Sequence, residues 1–290
     1  MGKYTTVAII GCGALGTFIA AGIVDPTDKS NFAPQRLIAT VSSESSKRRV
    51  TNSLSSKSVQ VTVLLKQDNL QAIKEADVII LAIKPVKRPE IFGLAGVTEA
   101  LRGKLIISIM AGISTTVLAR QVTEGSGAEK NGQPLQIVRV MPNMAAKIRE
   151  AMSLCTANLE TLTEQNLEFT SWIFNQVGQS KFVDESTFDI SAVLVGCAGS
   201  LLLLAVDGLL DAAVAEGVKR PEATEMVMQS AIGMMKLVPA GDHPSVLREK
   251  IASPGGCSIR ALLELEKLGV RSAFTSAIMA AAEKSKSLSR

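Results

Sequence analysis

The stretch Val7-Ala8-Ile9-Ile10-Gly11-Cys12-Gly13-Ala14-Leu15-Gly16, close to the start of the chain, decides the fold. An apolar run of β type enters a glycine-rich turn, and a helical pattern follows over residues 15–23. Gly-x-Gly-x-x-Gly in this context is typical of a dinucleotide site, because Gly11 permits the tight turn, Gly13 lets a pyrophosphate approach and Gly16 lets the helix pack on the strand. The N–H groups of Ala14 and Leu15, at the helix start, are placed to bind the phosphates. A purely structural glycine turn is the alternative.

The apolar pattern divides the chain into two parts. Short β-type runs alternate with helical segments in the first part, which predicts a doubly wound α/β fold around a parallel sheet. The predicted strands are residues 6–10, 36–41, 78–83, 105–110 and 136–140, with helices over residues 15–23, 70–75 and 115–122. After residue 184 only long helical patterns remain, over residues 190–216, 221–237, 258–267 and 271–288. We expect a Rossmann-like domain over residues 1–184 and an all-α domain over residues 185–290, whose strongly apolar helices indicate self-association.

Two segments between the predicted elements have the composition of linkers. Residues 42–58 are rich in serine, and residues 124–134 combine glycine with charged and polar residues. Both are expected to be exposed and irregular.

Composition excludes several classes of function. The chain has 290 residues, of which 47% are apolar and 20% charged, so we expect a large buried core rather than disorder. The net charge of +4 is dispersed and only 3% of the residues are aromatic, which argues against nucleic-acid binding. Residues 190–206 carry no charge, but a membrane span needs about 20 residues, so we expect a buried interface helix and no membrane association.

Reactive side chains are few. The four cysteines contain no Cys-x-x-Cys pair, and His243 is the sole histidine. We therefore expect no metal site and no catalysis by a Ser-His-Asp or Cys-His set, so an enzyme of this sequence needs a bound organic cofactor. The scattered cysteines and the lack of a visible signal peptide predict a reducing, cytoplasmic location.

The end of the second predicted strand indicates which dinucleotide binds. An acidic residue at this point would hold a ribose with free hydroxyls, and Glu44 is a candidate for that role. The strand ends in Ser42-Ser43, however, and Lys47-Arg48-Arg49 follows. Hydroxyls and positive charge suit a 2′-phosphate, which favours NADPH over NADH while leaving NADH possible. The alternative for the basic residues is a solvated helix start.

Other candidate residues follow further strands or open a helix. Ligands of open α/β sheets bind beyond the carboxyl ends of the strands. Ala82-Ile83-Lys84-Pro85, the segment 108–112 and the segment 139–143 lie at such ends, although Lys84 could equally be an ordinary loop lysine. In the second half, Gly255-Gly256-Cys257-Ser258 precedes an amphipathic helix, whose N–H groups could hold a small carboxylate. The alternative is that Ser258 is a plain helix cap.

With these motifs in order, the sequence resembles the pyrroline-5-carboxylate reductase family over essentially its whole length. The most specific part of the resemblance is the C-terminal block, which reads Pro244-Ser245-Val246-Leu247-Arg248, then Ser253-Pro254-Gly255-Gly256, then Leu265-Glu266-Lys267-Leu268-Gly269-Val270-Arg271. The resemblance implies an NAD(P)H-dependent enzyme of proline biosynthesis that reduces a cyclic imino acid. It also implies a helical domain that dimerises, with the active site between one subunit's cofactor and the partner's helices, and dimers that commonly assemble into decamers.

The resemblance assigns roles to individual residues. It implies cofactor contacts along the glycine turn and in the 2′-phosphate region, the adenosine region and the loops around the nicotinamide; these residues are Gly11, Gly13, Ala14, Leu15, Gly16, Ser42, Ser43, Asn69, Ala82, Lys84, Pro85, Ala111 and Gly112. It implies that Gly255, Gly256, Cys257 and Ser258 hold the substrate carboxylate, and that the Ser258 hydroxyl contacts the imine nitrogen.

The chain departs from the family pattern in the implied substrate pocket. Val195-Gly196-Cys197 and Asn143-Met144-Ala145 stand where the family carries more hydroxyls and prolines. A related imine reductase with a different cyclic substrate, for example in secondary metabolism, therefore stays open, as does a non-catalytic NADP-binding assembly protein. The presence of Gly255, Gly256 and Ser258 argues against the latter. A β-hydroxyacid dehydrogenase is discarded, because residues 190–216 contain no lysine for its catalysis.

Overall fold

A computed structural model describes residues 4–28, 32–54, 58–124 and 134–288 of the chain. The described residues contain eight strands in one sheet, namely β1 (Thr6–Ile10), β2 (Arg36–Val41), β3 (Gln60–Leu65), β4 (Val78–Leu81), β5 (Leu105–Ser108), β6 (Gln136–Pro142), β7 (Ala151–Ala157) and β8 (Gly178–Phe182). Their order is β3-β2-β1-β4-β5-β6-β7-β8. All neighbours pair in parallel except β6 and β7. The predicted fold class is confirmed.

Helices cover both faces of this sheet, and further helices follow the last strand along the chain. The first seven are α1 (Ala14–Val24), α2 (Glu44–Ser53), α3 (Asn69–Glu75), α4 (Arg88–Phe92), α5 (Val97–Leu101), α6 (Thr115–Glu124) and α7 (Glu164–Asn175). The other five are α8 (Glu185–Ala215), α9 (Arg220–Leu237), α10 (Pro244–Ile251), α11 (Cys257–Lys267) and α12 (Val270–Leu288). One core cluster joins α1, α2 and α7 to the sheet, and a second joins α3, α5 and α6 to it. Alternate residues of β1 enter the two cores, because successive side chains of a strand point to opposite faces.

The structure corrects the prediction for residues 42–58. They contain α2, which begins after Ser43, and the Ser43 hydroxyl caps the helix by accepting a hydrogen bond from the N–H of Ser46 at 3.3 Å. Val50 is the one buried residue of this helix, so its sequence carries little apolar periodicity. Of the second expected loop, residues 125–133 lie outside the described residues.

Asp77 fixes the start of the sheet. Its carboxylate accepts hydrogen bonds from the N–H of Thr5 at 2.8 Å, the Thr5 hydroxyl at 2.9 Å and the N–H of Thr6 at 3.0 Å. Burial by itself raises the pKa of Asp77, but the hydrogen bonds from Thr6 and Thr5 outweigh it and the pKa is lowered. The ionised carboxylate therefore stabilises the first strand.

Contacts divide the chain into two compact units. The first comprises Met1–Gly196 with Ser285–Arg290, and the second comprises Cys197–Lys284. The division falls within α8, so the predicted boundary at residue 184 stays a prediction. In the second unit, His243 is a turn residue that caps α10, where its Nδ1 accepts a hydrogen bond from the N–H of Ser245 at 3.2 Å.

Helix α8 is long and apolar enough to cross a membrane, but only 6% of its most apolar window is buried within the chain. Several of its leucines are exposed, among them Leu194, Leu202, Leu203, Leu204 and Leu209. The burial expected from the sequence is therefore not provided by this chain alone.

Candidate active site

The glycine-rich turn lies between β1 and α1 and has the geometry of a phosphate-binding turn. Gly11 has a φ of +81°, and a Cβ there would clash with Cγ2 of Ile83. Gly13 caps α1 and has no side chain to bond the first N–H groups of the helix. A Cβ on Gly13 would meet only the carbonyl oxygen of Gly11, at 4.0 Å, so space is open above the turn. An anion can therefore approach the N-terminus of α1, which carries partial positive charge.

A cavity of about 370 Å³ adjoins this turn at the carboxyl ends of β1, β2 and β4; it is lined by Gly11, Thr40, Val41, Ser42, Lys66, Gln67, Asn69, Ile83, Lys87, Glu90, Ile91 and Leu94. Asn69, the first residue of α3, is only 5% exposed, and its Oδ1 has no hydrogen-bond partner. An unpaired buried amide oxygen is costly, so this atom indicates a ligand with a hydrogen-bond donor. The apolar walls, the open turn and this acceptor fit the adenosine and pyrophosphate of a dinucleotide.

The basic residues near the cavity are not equivalent. Lys66 and Lys87 line it, and Lys87 forms an ion pair with Glu90, whose pKa is lowered by this hydrogen bond. In α2, Arg49 donates to the Thr17 hydroxyl at 3.3 Å, so its guanidinium is bound against α1. Of the three predicted phosphate ligands on α2, Lys47 is half-buried, and Arg48 and Arg49 are both exposed. Arg48 differs from Arg49 in that it is not bonded to Thr17.

Cys12 lies inside the turn but is only 2% exposed. Its Sγ is 3.8 Å from the hydroxyl of Thr17. Burial raises the pKa of the Cys12 thiol to about 11, although Thr17 and the charge of Arg49 act in the opposite direction. The thiol is therefore protonated at neutral pH and is not a nucleophile.

The segments after β4 and β5 lie at the same sheet edge. The N–H of Ala82 donates to the carbonyl of Ile10 at 2.9 Å, which holds the start of the segment beside β1. Lys84 is exposed and precedes a 3-10 turn that begins at Pro85. Ala111 is exposed and Gly112 half-buried after β5, the parallel neighbour of β4. These predicted cofactor residues thus follow adjacent strands, whereas Gly11, Ser42 and Asn69 line the cavity itself.

Two of the predicted substrate residues are in contact. Asn143 follows β6 and caps a 3-10 turn, where its Oδ1 accepts from the N–H of Ala145 at 3.3 Å. Its Nδ2 donates to the carbonyl of Val195 in α8 at 3.5 Å. Met144 is 63% exposed beside this contact. Gly196 is the next residue of α8, and Cys197, the first residue of the second unit, is half-buried.

The other predicted substrate residues form the start of α11 in the second unit. Gly255 has a φ of +71°, and Gly256 caps the helix without a side chain. A Cβ on Gly256 would lie 2.7 Å from the Ser253 hydroxyl. Ser258 is the second residue of α11 and is exposed, as is Cys257. The interpretation of Ser258 as the helix cap is therefore wrong, since Gly256 holds that position.

Sequence reasoning missed several residues that belong to the cavity or support it. Lys66 follows β3, a strand that the apolar pattern does not predict, and Ile83, to which the sequence pattern assigns no role, packs against Gly11. Their signal is positional, because each stands just beyond the carboxyl end of a strand. No group of side chains that could hold a metal ion is found among the described residues.

Two family models match the chain. The model described as pyrroline-5-carboxylate reductase dimerisation matches residues 185–288, and the model described as NADP oxidoreductase, coenzyme F420-dependent, matches residues 6–112. The matched ranges correspond to the helical part and to the first part of the sheet.

Individual proteins agree with these models. The chain is 33% identical to a pyrroline-5-carboxylate reductase of Lophium arboricola, covering 96% of this chain and 91% of the relative. It is 34% identical to the pyrroline-5-carboxylate reductase of Neurospora crassa, covering 94% of this chain and 90% of the relative. A solved structure of a pyrroline-5-carboxylate reductase from Coxiella burnetii superposes with a TM-score of 0.79 at 25% identity, covering 100% of both chains. The chain therefore belongs to the pyrroline-5-carboxylate reductase family.

Proposed function

We propose that this protein reduces the C=N bond of 1-pyrroline-5-carboxylate to give L-proline, with NADPH as the reductant. The observation that carries the proposal is the open glycine turn beside a cavity containing the unpaired Oδ1 of Asn69. The activity named for the relatives, and the NADP oxidoreductase model over residues 6–112, support the same assignment.

The residues of the first unit fit NADPH. The N–H groups at the start of α1 bind the pyrophosphate above Gly13, and Asn69 accepts a hydrogen bond from the adenosine part. Ser42 and the exposed Arg48 hold the 2′-phosphate, near the N-terminus of α2. When bound, the cofactor supplies a hydride for the imine carbon.

The residues of the second unit fit the carboxylate of the substrate. The N–H groups at Gly256 and the start of α11 provide an anion site without an arginine, since no side chain caps this helix. The Ser258 hydroxyl is placed to orient the ring nitrogen, and its oxygen would accept a hydrogen bond from the N–H of the protonated imine. A cyclic imine is readily protonated in water, so the protein needs no strong acid, and its contribution is placement of the reacting atoms.

We also propose that the protein is a homodimer formed through its helical part, that dimers assemble further, up to a decamer, and that it acts in the cytoplasm. The dimerisation model over residues 185–288 supports the first of these, as do the exposed leucines of α8. Light scattering after size exclusion measures the assembly: a monomer at micromolar concentration would contradict the proposal.

The first experiment is steady-state oxidation of NADPH with 1-pyrroline-5-carboxylate and a panel of other cyclic imines. Efficient turnover of the first substrate supports the proposed reaction. Turnover only of another imine would instead support a related imine reductase. Met144, which is exposed and departs from the family pattern in the implied substrate pocket, is the residue relevant to that outcome.

A matched pair of variants then tests the role of Ser258. Ser258→Ala should lower kcat while the affinity for NADPH stays unchanged. Ser272→Ala is the control, because Ser272 is an exposed serine of α12 whose hydroxyl, within the described part of the chain, donates only to the carbonyl of Gly269. Equal kcat values for the two variants would remove Ser258 from the mechanism.

A further inference from the structure

Arg139 is a charged side chain buried in the sheet. It lies in β6, paired with Ser108 at the end of β5 and with Thr156 in β7, and its side chain is 5% exposed. A buried guanidinium is tolerated only where other groups compensate its charge. The reaction proposed above does not use this residue, so its conformation requires a separate explanation.

The compensating groups all come from one face of α8. Arg139 donates to Oε1 of Glu185 at 3.0 Å and to Oδ1 of Asp189 at 2.7 Å, and its guanidinium carbon lies 4.1 Å from the ring centre of Phe188. Residues three and four apart share a helix face, so the first turns of α8 contact Arg139 as one surface. Arg139 therefore fixes the start of α8 on the sheet.

Glu185 extends this cluster to a third element. Its second oxygen, Oε2, accepts a hydrogen bond from the hydroxyl of Thr115 at 3.3 Å. Thr115 is the first residue of α6. Glu185 thus joins β6 to the start of α6 through a single carboxylate.

The segment between β5 and α6, residues 109–114, is held at its beginning by strand pairing and at its end by the side-chain cluster around Arg139. At its beginning, Ser108 pairs with Arg139 in the sheet, and at its end Thr115 is bonded to Glu185. Within the segment, the N–H of Met110 donates to the Ser108 hydroxyl at 3.3 Å, the Met110 side chain is buried in the core, and Ile113 packs against that core. Residues 111 and 112 form the turn between these two side chains, so the position of the turn depends on how the two ends of the segment are held.

We propose that Arg139 is a positioning residue for residues 109–114, acting through Glu185 and Thr115. The inference rests on the proposed function and on the expectation, from the family resemblance, that Ala111 and Gly112 border the nicotinamide. A segment fixed at both ends would keep a bound nicotinamide ring in one position, and small displacements of reacting atoms are costly to the rate.

The test compares Thr115→Val with Thr116→Val. Both changes replace a hydroxyl at nearly constant volume at the start of α6, and Thr116 is exposed and has no hydrogen bond from its hydroxyl among the described residues. Hydrogen–deuterium exchange of residues 109–114 is measured together with kcat, KM, the Kd of NADPH and the primary isotope effect with deuterated NADPH.

We expect Thr115→Val to accelerate exchange in residues 109–114 and to lower kcat roughly fivefold, the value of one hydrogen bond. The isotope effect should rise because hydride transfer becomes slower, while KM and the Kd of NADPH stay within about twofold of the control. Arg139→Met should act in the same direction more strongly, but it removes the positive charge that faces Glu185 and Asp189 and can fail to fold, so the threonine pair decides.

Equal exchange in the two threonine variants would overturn the inference, and so would faster exchange with an unchanged kcat. If the wild-type protein failed to oxidise NADPH with any of the cyclic imines tested, that result would contradict the proposed function instead. The exchange measurement would still report whether Thr115 fixes residues 109–114.

Discussion

Gly13→Ala should abolish tight cofactor binding while the fold stays intact. The backbone of Gly13 has a φ of −77°, which alanine adopts without strain, and the added Cβ would meet only the carbonyl oxygen of Gly11 at 4.0 Å. Alanine caps a helix less well than glycine, so we expect a loss of about 0.5–1 kcal/mol in the free energy of unfolding. The same methyl group occupies the space through which a pyrophosphate must approach the N–H groups of α1.

The loss of binding can be estimated from those N–H groups. A hydrogen bond to a charged group contributes about 1.5–3 kcal/mol, so the loss of one such bond raises the Kd of NADPH by about tenfold to a hundredfold. Fluorescence titration with NADPH gives the Kd, and urea denaturation gives the free energy of unfolding.

Gly11→Ala is the matched comparison, because it adds a methyl group to the same turn at a position where both the backbone conformation and the neighbouring side chain oppose it. Its φ of +81° costs alanine about 1–2 kcal/mol, and the clash of the new Cβ with the Ile83 side chain adds about 1–3 kcal/mol. This variant should lose stability as well as binding. The reasoning would be refuted if Gly13→Ala bound NADPH as tightly as the wild type, or if it were as destabilised as Gly11→Ala.

Three further predictions concern stability, reactivity and cofactor choice. Asp77→Asn should lower the free energy of unfolding by about 1 kcal/mol at pH 7. Because folding lowers the pKa of Asp77, its contribution to stability is present above the ordinary pKa of aspartate and is lost as the pH falls through the folded-state pKa. The stabilities of the wild type and the variant should therefore converge in acid denaturation. Cys12 should resist alkylation at pH 7 in the native protein while the exposed Cys257 reacts, as peptide mass spectrometry will show, and equal labelling would contradict the burial described for the turn. Arg48→Ala should weaken NADPH relative to NADH more than Arg49→Ala does, since Arg49 is bound to α1, and an unchanged ratio of kcat/KM values in the former would overturn its assignment to the 2′-phosphate.

Local sequence determined the elements whose signal is contained within a few residues. β1 and β2 begin and end where the apolar runs predict, and the glycine turn between β1 and α1 follows from its spacing alone. The helices after residue 184 were also predicted to within a few residues, except α10, because apolar periodicity persists over several turns. This was enough to predict the Rossmann-type sheet and to propose a cofactor site at the glycine turn.

Tertiary structure decided the elements and contacts that depend on distant partners. β8 reads Gly-Gln-Ser-Lys-Phe, which has no β-type alternation, and it is a strand because β7 pairs with it. The unpaired oxygen of Asn69 and the cluster around Arg139 could not be predicted either, since each results from segments that are far apart in the sequence. A sequence reports local propensity directly, whereas burial, pairing and the compensation of a buried charge exist only after the chain has folded.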